Sequence, residues 1–132
     1  MKIILDTNVI VSALLSPDGI PSKILNLVLS GTIKLVYDNS ILSEYIRVLR
    51  REKLKINQEL CGIIIDFINK DGELGLAYPH KMKFSDETDK KFYELLKSTD
   101  ADFLITGNIK HFPKEKSILT PVEFIQRIIA GS

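Results

Sequence analysis

Cysteine is nearly missing from this chain. Its 132 residues contain one, Cys61, so an intrachain disulfide is excluded. Cys61 sits beside Leu60, Ile63 and Ile64, and its expected role is that of a small buried hydrophobe. A charge excess is missing too, since the formal net charge is +1. Nucleic-acid binders often carry a strong basic excess, so that function here needs local basic patches beside an acidic site. No apolar run approaches the roughly 18 residues of a membrane span. One short apolar run precedes Asp6 and no cleavage pattern follows, so no secretory signal is read. The expected compartment is the reducing cytoplasm, with no membrane association. Repeats, low-complexity tracts and linkers are also lacking. The length fits one domain, residues 1–132, able to bury roughly two-thirds of the surface its unfolded chain exposes.

What the chain does have is an alternation of strands and helices. Residues 2–6 read as a buried strand, and 8–15 as an apolar helix. "SPDG" at 16–19 is a turn. "PSKILNLVLSG" at 21–31 has Pro21 to start a helix and Gly31 to stop it. "IKLVY" at 33–37 is a strand, and apolar spacing makes 38–53 a helix. A helix over 57–72 takes Asn57 as its cap, and its Ile63-Ile64-Ile65 run is apolar nearly all round. A strand over 74–78, a helix over 85–98, a strand over 102–106 and a short strand at 118–120 follow. The last helix opens with a capping box, in which Thr120 is the cap, Pro121 the first helical residue and Glu123 the third. This order predicts an α/β fold, a mostly parallel sheet with helices on both faces.

In such a sheet, ligands bind beyond the carboxyl ends of the strands. Asp6 ends the first strand, and Thr106-Gly107-Asn108 ends the strand at 102–106. At about 100° per residue, Asp89 falls within the apolar arc of Phe92, Tyr93, Leu95 and Leu96. A carboxylate there is costly without compensation. Glu44 borders the apolar arc of its helix, while Arg47 and Arg50 fall on the opposite, solvated side. Taken singly, Asp6 reads equally as a helix cap, Asp89 as a first-turn acid, Asn108 as a turn residue, and His80 and His111 as surface residues. Taken together on one sheet edge, Asp6, Glu44, Asp89 and Asn108 form an all-oxygen set. Gathered carboxylates repel one another, and hard oxygen donors suit Mg²⁺ or Mn²⁺.

"IILDTNVIVSALL", "SILSEYIRVLRR", "SDETDKKFYELLKSTDADFLITGNIKHFP" and "ILTPVEFI", in this order, resemble the PIN-domain ribonucleases over essentially the whole chain. The group resembled most closely is the toxins of toxin–antitoxin pairs. The resemblance implies a three-layer fold with sheet order 3-2-1-4-5 and a Mg²⁺- or Mn²⁺-dependent hydrolysis of RNA. It implies Asp6, Glu44 and Asp89 as metal-binding acids. Asn108 stands where the family has an acid, which puts the strength of the metal site in question. Thr7, Asn8 and Thr106 match residues that line the family's site. An antitoxin protein and a homodimer are the implied partners. Basic residues of "RVLRREKLK" (Arg47, Arg50, Arg51, Lys53, Lys55) and "KHFPKEK" (Lys110, His111, Lys114, Lys116) are candidates for RNA contact, although each reads equally as a solvated residue.

Three other readings compete. A haloacid-dehalogenase-type phosphatase needs a second Asp two residues after the first, where Asn8 stands. A receiver domain needs an acid at the third strand's end, which "LAYPH" does not supply. A non-catalytic PIN-like module that binds RNA or protein remains the alternative, favoured by Asn108.

Overall fold

The computed structural model describes residues 1–131; Ser132, the last residue of the expected domain, lies outside them. The elements run β1 (Lys2–Leu5), α1 (Thr7–Leu15), α2 (Ile20–Leu29), β2 (Lys34–Tyr37), α3 (Asn39–Leu49), α4 (Gln58–Asp71), β3 (Glu73–Leu74), α5 (Glu87–Ser98), β4 (Phe103–Ile105), β5 (Ile118–Leu119) and α6 (Pro121–Gly131). Short 3-10 turns occupy Glu52–Leu54 and Ile109–His111.

The sheet has five strands in the order β3-β2-β1-β4-β5, and every pairing is parallel. β1 is central because Ile3, Ile4 and Leu5 are all buried, at 1% exposure or less. A strand apolar on both faces needs cover on both. The helices supply it from opposite sides. Tyr37 reaches toward the Asn69 carbonyl of α4. Its neighbour Val36 lies with Leu95 of α5 and Thr99 just beyond that helix around the position a Gly75 side chain would take. Adjacent strand residues point to opposite faces, so α4 and α5 cover different faces of the sheet.

Capping side chains set several helix starts. Asp38 accepts from the Ile41 amide at 2.8 Å and Asn57 from the Leu60 amide at 3.1 Å. The capping box of α6 is reciprocal, with Glu123 accepting from the Thr120 amide and Thr120 from the Glu123 amide. Such caps are each worth about 1 kcal/mol.

Most boundaries fall within two residues of expectation, and two differ by more. The helix read through Lys53 ends at Leu49, and the chain leaves through a 3-10 turn and Lys55 in the left-handed region at φ 54°. The strand read over 74–78 is the two residues Glu73–Leu74. The Gly75 amide still donates to the Tyr37 carbonyl, but β2 stops at Tyr37, so residues 76–78 have no strand to continue against. From there to α5, the chain is tied by side chains: Ser98 Oγ accepts from the Tyr78 amide and Glu94 from the His80 amide. Cys61 is buried, as expected. Cys61, Ile64, Ile65 and Ile68 of α4 face the core, while Ile63 is 58% and Leu60 39% exposed. Among the described residues, no helix is long and apolar enough to cross a membrane.

Candidate active site

Asp6 follows Leu5 directly at the carboxyl end of the central strand. Its amide donates to the Ile105 carbonyl at 2.9 Å, which ties it to the end of β4. It occupies the cap position of α1, yet its side chain makes no capping hydrogen bond. The carboxylate instead accepts from the Thr106 hydroxyl at 2.7 Å. A helix cap alone therefore does not explain this acid, although the Asn8 amide in the first turn of α1 also lowers its pKa. Asp6 is only 4% exposed and Thr106 is fully buried. Burial raises the Asp6 pKa most; the Thr106 bond opposes it, and the charges of Asp89 and Glu44 add to the rise.

The chain after β2 brings the second acid. Asp38 caps α3, and Glu44 lies in the helix it starts. One Glu44 oxygen is 2.6 Å from Lys91 Nζ, and the Thr7 hydroxyl donates to the other. The third acid starts α5. Asp86 caps that helix by accepting from the Thr88 amide, and Asp89 turns inward at 8% exposure. Its Oδ2 lies 3.2 Å from His111 Nδ1. Burial raises the Asp89 pKa most; the His111 contact lowers it, and the Asp86 charge raises it.

These three acids, from three separate elements, line one open cavity together with Asp86, Thr7, Asn8, Arg47, Arg51, Asn108 and His111. Thr106 stands behind Asp6 rather than at the cavity wall. Asn108 lies at the rim, with its amide donating to Thr106 Oγ1 at 3.0 Å. Arg47 is not on an opposite face: it lines the cavity, and one guanidinium nitrogen is 3.8 Å from Glu44. His111 is half exposed, but it touches Asp89 and so is more than a surface residue. Arg50 and Lys110 are exposed and outside the cavity lining. Lys91 carries no motif in the sequence. Its signal was its place four residues before buried Leu95, which puts it beside the apolar arc of α5.

The donor set suits a hard divalent ion: carboxylates of Asp6, Asp89 and Glu44, and the amide oxygen of Asn108. The raised pKa values of Asp6 and Asp89 show two partly desolvated carboxylates in need of positive charge. Each acid is held by its own partner, however. Among the described residues, no three carboxylate, imidazole or thiol groups converge tightly enough to hold an ion as they stand.

An all-parallel 3-2-1-4-5 sheet with acids gathered at the carboxyl end of its central strand makes this an α/β protein with an acidic site at the strand-end position. The PIN-domain family profile matches residues 2–110, and the chain belongs to that family. An uncharacterized protein of Methanocaldococcus jannaschii is 31% identical over 111 residues, covering 82% of this chain and 71% of its own length. PIN domains are generally nucleases. β5 and α6 lie beyond the matched range.

Proposed function

We propose that the protein is a divalent-metal-dependent ribonuclease that hydrolyses RNA phosphodiesters, and that it is the toxin of a toxin–antitoxin pair in the cytoplasm. The observation that carries the nuclease reading is the meeting of Asp6, Glu44 and Asp89 in one cavity with Arg47 and Arg51 on its wall. A Mg²⁺ or Mn²⁺ ion held by Asp6 and Asp89 would supply charge neutralisation at the phosphoryl group and a more acidic water. Hydrolysis forms one bond from a water oxygen to phosphorus and breaks one phosphorus–oxygen bond of the RNA backbone. Arg47 and Arg51 offer the phosphate a forked set of donors. Thr106 fixes the orientation of Asp6, and His111 that of Asp89. The toxin role and an antitoxin partner rest on the resemblance of the motifs. A homodimer is supported by exposed Leu60 and Ile63 on α4.

The deciding experiment is incubation of the purified protein with labelled single-stranded RNA, with Mn²⁺ and then with a chelator. Cleavage that needs the metal supports the reading, and intact RNA in both arms overturns it. The second reading is a non-catalytic module that binds RNA or protein. It is favoured by the cations that already hold Glu44 and by the neutral Asn108. RNA binding without cleavage in the same experiment would select it.

A further inference from the structure

Across the site, α3 and α5 are joined by one ion pair. Lys91 Nζ lies 2.6 Å from Glu44 Oε1, with the two side chains 20% and 11% exposed. Among the described residues this is the most enclosed of the ion pairs. The second Glu44 oxygen accepts from Thr7. Arg47 adds positive charge 3.8 Å from Oε1. Both oxygens of Glu44 are therefore taken by protein donors. Asp6 and Asp89 each have one side-chain partner, Thr106 and His111.

We propose that Lys91 is a positioning residue for Glu44. It holds the carboxylate against Thr7 as a charged wall of the site and keeps it from serving as a direct metal ligand. The inference rests on the metal-dependent reading of the same site. Removing one partner of an enclosed ion pair leaves the other uncompensated. Without Lys91, Glu44 is free to turn toward a divalent ion, and one unit of opposing charge is gone. The site then attracts the ion more strongly and loses the geometry it had for the substrate.

The test compares wild type, Lys91→Met and Lys91→Arg by calorimetric titration of Mn²⁺, with melting temperatures measured with and without the metal. Lys91→Met is expected to bind Mn²⁺ roughly ten-fold more tightly, the scale for removing a unit charge from a partly buried site. It should melt lower without metal, gain more on adding it, and cleave RNA with a lower kcat at similar KM. Lys91→Arg keeps the charge and should return the affinity to near that of wild type. A lysine that merely braced α3 against α5 would lower both melting temperatures equally and leave the affinity unchanged, which overturns the inference. Wild-type protein that takes up no Mn²⁺ overturns the metal reading and this inference together. Equal uptake by wild type and Lys91→Met overturns this inference alone. Where Lys91→Met does not fold, Glu44→Gln replaces it. Its loss of Mn²⁺ affinity must be smaller than that of Asp89→Asn, and an equal or larger loss makes Glu44 a direct ligand.

Discussion

The Thr106 hydroxyl donates to the Asp6 carboxylate across the ends of two neighbouring strands, at 2.7 Å. The register that pairs Leu5 with Ile105 creates this contact, because it sets the next residue of each strand side by side. A carboxylate fixed by its backbone and by a buried hydroxyl is aimed before any ligand arrives.

Asp6→Asn removes charge while its amide oxygen can still accept from Thr106. We expect RNA cleavage to fall at least a hundred-fold, on the order of a lost electrostatic contact to the reacting centre. The metal-free protein should melt a few degrees higher, because burial and the charges of Asp89 and Glu44 disfavour the carboxylate form. Cleavage at the wild-type rate would remove Asp6 from the chemistry.

Asn108→Asp adds a fifth acid to a cavity that Asp6, Glu44, Asp86 and Asp89 already line. Mn²⁺ should bind more tightly and the metal-free protein should be less stable, since like charges are then more crowded. Calorimetric titration decides it, and unchanged affinity would place this side chain outside the metal site.

Glu115 gives a pH dependence away from the site. Burial pushes its pKa up, but bonds from Lys97 and Tyr93 outweigh that and hold it below the ordinary value of 4.5. Its stabilisation is therefore present above pH 4.5 and lost as pH falls through the lowered pKa. Glu115→Gln should cost about 1–2 kcal/mol at neutral pH, and the difference from wild type should shrink in acid. Urea unfolding at neutral and acidic pH measures it; a constant difference would contradict the sign.

Ile63 is 58% exposed on α4. We expect wild type to sediment as a dimer at micromolar concentration and Ile63→Lys to sediment as a monomer with an unchanged melting profile. A monomeric wild type removes the dimer.

Much of this arrangement was legible in the residues. The Ile3-Ile4-Leu5 run required a strand covered on both faces, and Asp6 directly after it had to lie at a carboxyl edge. The capping box at Thr120 and Glu123 was readable because its chemistry is local. Asp89 was found because helical spacing put a charge among apolar residues. Tertiary contact decides the rest. Nothing near residues 74–78 says that β2 will stop at Tyr37 and deprive them of a partner. Lys91 is an ordinary surface residue on its own helix and turns to Glu44 only because α3 and α5 meet, whereas Arg47 reaches Glu44 locally, one turn along α3. The contact of His111 with Asp89 depends on where β4 delivers the following 3-10 turn, which no single-segment pattern contains.

The side-chain ties between β3 and α5 give the site two unequal halves. Asp6 directly follows a strand paired along both edges and is itself tied to the Ile105 carbonyl, so its backbone opens only if the sheet opens. Asp89 belongs to the first turn of a helix that follows a stretch without a strand ladder. Amide hydrogen exchange should therefore be slow at residues 3–6 and much faster at 76–90. A ligand that bridges Asp6 and Asp89 would fasten the fast half to the slow one, so its arrival would register as protection spreading across the start of α5.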